Sequence, residues 1–276
     1  ANTKDLAYWH YSVHNPKSAV SHFEGAVVNI NASDFYSENI SYVNDWGLEA
    51  QNGPQALALK TKADRIAFYN CKFRSFQDTW MTTTRDADRH YVKECWLEGA
   101  VDYFYGGGNA LVEESTLYNV RSGSVIVAPC HESVKYGYVF RNCVIDGNEQ
   151  AADGKLKLGR PWHNSPKAVY INTLVKIPLA PEGWTNMGAL PALFAEYDSR
   201  DAAGNVLSSD VYYYNEDERS YYALNVAVTA DNYTDFTDST KPYGPVSNQL
   251  DATTSPEKSV WLDIYNSADN FLSATY

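Results

Sequence analysis

Short apolar and aromatic runs recur along this chain, and polar turns separate them. Arg65-Ile66-Ala67-Phe68-Tyr69 and Tyr136-Gly137-Tyr138-Val139-Phe140 are two of them. Such runs are too short for helices and rich in strand-forming residues, and few long stretches show a 3.6-residue apolar period. The runs precede segments of one type: Asn39-Ile40-Ser41-Tyr42, Asn70-Cys71-Lys72-Phe73, Glu94-Cys95-Trp96-Leu97, Glu114-Ser115-Thr116-Leu117, Asn142-Cys143-Val144-Ile145 and Asn172-Thr173-Leu174-Val175. With the second residue as register mark, the steps are 31, 24, 20, 28 and 30 residues. Short strands at such a period predict a parallel β-solenoid, an all-β fold in which each coil buries the open face of the next. A β-sandwich is the rival, but hairpin turn signals are scarce.

The pattern sets the domain organisation. One domain over 1–276 is expected, with coils over about 25–200. Beyond about residue 200 the period fades into loops such as Ala202-Ala203-Gly204-Asn205. The segment 201–276 is expected to cover the side or end of the solenoid. Only about 25 residues precede the first clear coil; the family resemblance set out below implies further N-terminal coils and a cap, which are therefore expected to be missing from this chain. An uncapped end exposes strand edges.

Composition narrows the partners. With 22 Lys+Arg against 34 Asp+Glu, the net charge of −12 argues against nucleic acid, anionic membrane or a fully ionised polyuronate. No apolar run reaches the roughly 18 residues of a membrane span. The chain starts at Ala1 without a signal peptide, as a processed export product or a trimmed chain would. A secreted, periplasmic or cell-surface location and a monomer are expected. The 22 tyrosines and seven tryptophans suit sugar recognition, and they suit strand packing equally. Cys71, Cys95, Cys130 and Cys143 match no zinc pattern. Cys71 and Cys95 hold equivalent positions in successive coils, either bonded or stacked as small apolar groups.

Asp78 lies seven residues after Cys71, and Asp102 lies seven after Cys95. Stacked coils would therefore bring the two carboxylates to about 5 Å, the strand spacing. Carboxylates that close titrate as a pair, which is how one site obtains both an acid and a base. The histidines fit no catalytic pattern. His10, His14 and His22 read as surface or packing residues, and His131 and His163 lie near the expected cleft loops. The Gly-x-Ser-x-Gly elbow of a serine hydrolase is missing from the sequence.

Four blocks occur in order: Gly53-Pro54-Gln55-Ala56-Leu57-Ala58-Leu59, Phe76-Gln77-Asp78-Thr79-Trp80, Val101-Asp102-Tyr103-Phe104-Tyr105-Gly106 and Leu158-Gly159-Arg160-Pro161-Trp162. Together they resemble the motifs of the pectin methylesterases, aspartyl esterases built on a right-handed parallel β-helix. The resemblance covers roughly residues 25 to 200. It implies Asp102 as nucleophile and Asp78 as general acid, then base. It implies Gln55 and Gln77 as oxyanion donors, Arg160 as the partner of Asp102, and Trp162 as part of the sugar-binding wall. Trp80, Tyr103, Tyr105 and Trp184 are further candidates for lining the cleft. The implied substrate is methylesterified homogalacturonan or a related pectic polysaccharide, with no metal or other cofactor required.

Elementary chemistry supports the division of labour. A carboxylate attacks well only when ionised and fixed, and a guanidinium does both. Arg160 is therefore expected to lower the pKa of Asp102, and the charge on Asp102 to raise that of Asp78. Two features depart from the family pattern: the longer turn Thr82-Thr83-Thr84-Arg85-Asp86-Ala87-Asp88 and the run Gly106-Gly107-Gly108. Two alternatives stay open, a non-catalytic pectin-binding solenoid and another polysaccharide-active enzyme, glycosidase or lyase, on the same scaffold. Carboxylates about 5 Å apart also suit a retaining glycosidase.

Overall fold

Strands from successive coils assemble into three sheets in which every pairing is parallel. The computed structural model describes residues 7–11, 26–48, 51–53, 55–134, 136–207, 211–215 and 220–224. The first sheet holds Ala7–Tyr11, Ile40–Asn44, Lys72–Arg74, Trp96–Gly99, Thr116–Asn119, Val144–Gly147, Leu174–Val175 and Arg200–Asp201. The second holds Val28–Ile30, Leu59–Thr61, Trp80–Met81, Val101–Gly106, Val125–Pro129 and Lys157–Gly159. The third holds Phe35–Glu38, Ile66–Tyr69, Arg89–Lys93, Asn109–Glu113, Tyr138–Arg141, Lys167–Ile171 and Leu193–Tyr197. This is the parallel β-helix that the periodicity predicts.

The register marks align throughout. Ser41, Lys72, Trp96, Thr116, Val144, Leu174 and Arg200 are successive partners in the first sheet. Each of these residues follows a small or apolar one: Ile40, Cys71, Cys95, Ser115, Cys143, Thr173 and Ser199. One residue earlier the backbone is left-handed in every coil: Asn39, Asn70, Glu94, Glu114, Asn142, Asn172 and Asp198 have φ between 48° and 58°. Asn and Asp tolerate that region because their short polar side chains bond locally. Here the amides bond between coils, with Asn70 Nδ2 donating to Asn39 Oδ1 at 2.6 Å and Asn172 Nδ2 to Asn142 Oδ1 at 3.3 Å. The thiols of Cys71 and Cys95 are free and buried, and the Cys71 N–H donates to Cys95 Sγ at 3.3 Å.

Aromatic rings fill the axis because in-register coils stack like side chains. Phe68 and Phe104 meet Trp80 edge-on with centroids 5.1 Å away, and Phe140 stacks on Tyr170 at 4.6 Å. Each such pair is worth about 0.5–1.5 kcal/mol beyond its buried area.

At the chain ends the pattern is richer than expected. A strand lies before residue 25, since Ala7–Tyr11 pairs with Ile40–Asn44. Of the expected covering segment, Asp201–Leu207 is described, together with an antiparallel pair, Val211–Asn215 with Ser220–Leu224. The remainder of 208–276 lies outside the described residues.

Candidate active site

The second sheet carries the site. Leu59, Trp80, Phe104, Val127 and Gly159 form one inward register across it. Gly159 is needed there, because an added Cβ would sit 2.4 Å from Val127 Cγ2 and 3.2 Å from the Trp184 ring. Between Val101 and Phe104 the register shifts against the next strand, which marks a bulge. Asp102 occupies that bulge in the left-handed conformation, φ 49°, and Asp78 adopts φ 59° one coil earlier. Gln77 bridges to Val101, and the Asp78 N–H donates to the Val101 carbonyl at 2.9 Å. Asp78 and Asp102 therefore share one register on neighbouring strands, a spacing of about 4.8 Å.

Both carboxylates are buried, at 7% and 5% exposure. Arg160 grips Asp102 with two bonds, Nε to Oδ1 at 2.8 Å and Nη2 to Oδ2 at 2.6 Å. Such a fork is the strong form of ion pair and favours the ionised form of the carboxylate. Burial pulls the Arg160 guanidinium down, but its bond to Asp102 and the charges of Asp102 and Asp78 together raise its pKa. Asp102 itself corrects an expectation. Arg160 pulls its pKa down, helped by Arg121, yet burial is the larger effect and the net direction is up.

Gln55 and Gln77 lie one coil apart at the entry to the same strands, where the Ala56 N–H donates to the Gln77 carbonyl at 3.0 Å. Both are half-buried. Trp162 is half-buried and meets the Tyr105 ring at 5.6 Å, nearly edge-on. Leu57, Met81, Tyr105 and Ala128 form an apolar patch on this outer face, and Trp162 packs against it.

Three of the aromatic candidates are not there. Trp80, Tyr103 and Trp184 are at most 1% exposed and belong to the central core, so they cannot line a cleft. The bulge explains Tyr103: with Asp102 taking the extra position, Tyr103 turns inward and its hydroxyl donates to Asn119 Oδ1 at 3.3 Å. The Trp80 indole donates to Thr61 Oγ1 at 3.1 Å inside the core. Trp184 stacks on Phe194 at 4.5 Å. Tyr105 is on the correct face but 3% exposed. His131 is a core residue, its Nδ1 accepting the Lys167 N–H at 3.1 Å, whereas His163 is exposed beside Trp162. The side chain of His10, and residues 14 and 22, lie outside what is described.

The long turn and the glycine run meet just past the strands Trp80–Met81 and Val101–Gly106. In the long turn, Thr83 Oγ1 donates to Asp88 at 2.6 Å, and Asp86 accepts the N–H groups of Glu132 and Ser133. The glycine run packs beneath this turn: the Gly107 N–H donates to the Thr83 carbonyl at 2.6 Å. A Cβ on Gly106, φ 115°, would meet the Thr83 carbonyl oxygen at 2.7 Å. Arg121 was missed in the sequence. Its turn, Arg121-Ser122-Gly123-Ser124, carries no motif, and only folding brings its charge near Asp102. Among the described residues no cluster of His, Cys, Asp and Glu is arranged to hold a metal ion.

A parallel β-helix with two buried carboxylates in one register, one of them paired with a guanidinium, defines the class: a solenoid protein with a cluster of charged groups on its second sheet. The pectinesterase family's sequence model matches residues 12–234, and the chain belongs to that family. Pectinesterase 31 of Arabidopsis thaliana is 36% identical over 166 residues, 59% of this chain and 49% of that protein. A probable pectinesterase A of Neosartorya fischeri is 33% identical over 186 residues, 66% of this chain and 55% of that protein. The chain thus spans about half the length of these curated relatives. The crystal structure of a pectin methylesterase from Aspergillus niger superimposes with a TM-score of 0.64 at 29% identity, covering 74% of this chain and 67% of that one.

Proposed function

We propose that this protein hydrolyses methyl esters of galacturonate residues in pectin, releasing methanol. The observation that carries the reading is the Arg160 fork on Asp102, with Asp78 one strand away in the same register. In the first half-reaction an Asp102 oxygen attacks the ester carbonyl carbon. The charge that grows on the carbonyl oxygen is held by the side-chain amides of Gln55 and Gln77. Neutral donors suit that task, and losing one typically costs about 3 kcal/mol of transition-state stabilisation. The C–O bond to the methoxy group breaks, Asp78 supplies the proton, and methanol departs. In the second half, water loses a proton to Asp78 and attacks the same carbonyl carbon. The anhydride bond to Asp102 breaks, and the free galacturonate leaves.

Trp162, on the apolar patch of the outer face, stacks against a sugar ring. The substrate is methylesterified homogalacturonan or a related pectic polymer, met outside the cytoplasm by a monomeric enzyme whose described coils and C-terminal segment form one domain. The family match and the two relatives above support this activity. The deciding assay incubates the protein with methylesterified polygalacturonate. Methanol release without new reducing ends or unsaturated products is expected. Reducing ends would indicate a glycosidase, unsaturated products a lyase, and binding without any product a non-catalytic solenoid.

A further inference from the structure

The hydroxyl of Tyr105 is a loose end in this site. The ring is buried, packed with Leu57, Met81 and Ala128 and capped edge-on by Trp162. Its hydroxyl oxygen is buried as well and has no hydrogen-bond partner. Buried phenols normally find one, and an unpaired hydroxyl keeps its full desolvation cost. Phenylalanine would fill the same space without that cost, so packing alone does not account for tyrosine. The other buried tyrosines of this region are satisfied: Tyr103 by Asn119, Tyr138 by Thr82 and Tyr170 by the Leu158 carbonyl. Tyr105 also lies within the fields of both catalytic candidates. After burial, the charge of Asp78 is the strongest influence on its hydroxyl, and Asp102 acts on it too.

We propose that the Tyr105 hydroxyl is a catalytic hydrogen-bond donor that holds the small oxygen species of the reaction beside Asp78. That species is the methoxy oxygen as methanol leaves, and then the water oxygen that replaces it. The inference rests on the ester-hydrolysis reading above. Tyr105 transfers no proton. Asp78 gives one to the methoxy oxygen and later takes one from water, while the phenol donates a hydrogen bond to a lone pair of the same oxygen. Trp162 covers the position and keeps bulk water from competing for the donor. The hydroxyl is unpaired in the resting protein because its partner arrives only with substrate.

The test is Tyr105→Phe, assayed for methanol release from methylesterified polygalacturonate and for thermal unfolding. The expected result is a kcat lower by about five- to tenfold, the worth of one neutral hydrogen bond, with KM within about twofold of wild type. The same variant should unfold about 2 °C higher or more, since a buried unpaired hydroxyl is gone. A kcat within about twofold of wild type overturns the inference, as does a loss confined to KM. A lowered Tm would also overturn it, because the hydroxyl would then have a structural partner. Wild-type protein that releases no methanol removes the underlying reading and this inference with it. An active wild type with an equally active Tyr105→Phe removes this inference alone.

Discussion

Two of the columns of left-handed residues in this β-helix share a backbone conformation and differ in burial and partners. At the corner before the first sheet, Asn39, Asn70, Glu94, Glu114, Asn142, Asn172 and Asp198 are exposed or half-exposed. Their side chains are satisfied along the surface: amide to amide, the Tyr69 hydroxyl to Glu94 at 3.1 Å, Lys93 to Glu114 at 3.8 Å. At the second sheet, Asp78 and Asp102 adopt the same φ but are buried, and Asp102 faces a guanidinium. The left-handed turn is thus a general means of bending the coil and does not itself mark a site. What sets the second column apart is that its two carboxyl groups are desolvated and neighbouring, with Asp102 held by a guanidinium, the setting in which each group shifts the other's titration in a poorly screened place.

That contrast can be broken at several points. Short of neutralising Asp102 itself, the largest effect is expected at Arg160→Lys, which keeps the charge but loses the fork. Activity should fall about a hundredfold. The acid limb of kcat/KM against pH should move upward, because burial then raises the Asp102 pKa with less opposition. An unshifted profile would mean that the fork does not tune the nucleophile.

Acid is the next lever, and it acts behind the site sheet. His90 bonds Thr61 at 2.9 Å and is wholly buried, and burial pushes its pKa down to about 4. Burial likewise takes His131 to about 3. Unfolded histidine takes up its proton near pH 6.5, so between that value and these folded pKa values the unfolded state binds more protons. Stability is full above about pH 6.5 and is lost as pH falls toward 4, by on the order of 3 kcal/mol for His90. Urea midpoints measured from pH 7 to 4 should fall accordingly, and His90→Gln should flatten part of the slope.

The smallest effect belongs to the structural column. Asn70→Ala loses an amide bond and puts alanine in the left-handed region, a cost of about 1–2 kcal/mol. Methanol release by the folded variant should match wild type, and Asn70→Gly should be milder in a thermal melt. A large activity loss in either would mean that the two columns are coupled.

Much of this was legible in the sequence, because a solenoid writes its register into side chains. The Asn-Cys and Glu-Cys pairs mark the first sheet coil by coil, and equal offsets from Cys71 and Cys95 bring Asp78 and Asp102 together despite the longer turn between them. The facing of the aromatics was not legible. Strand alternation would place Tyr103 and Tyr105 on the same face, but the bulge at Asp102 consumes one residue and sends Tyr103 into the core. Trp80 and Trp184 look like cleft residues by type, yet they fill the axis, which only the stacking of coils defines. The balance on Asp102 was also hidden, since burial depends on the neighbouring coils and cannot be read from the adjacent letters.

The central claim is that Asp102, ionised and held by Arg160, attacks the ester. The most direct measurement is methanol release from methylesterified polygalacturonate by Asp102→Asn beside wild type, with melting curves to confirm that both are folded. The variant keeps the shape of the side chain and removes its charge. A rate at least about a thousandfold below wild type is predicted. A folded variant that releases methanol at the wild-type rate would contradict the account.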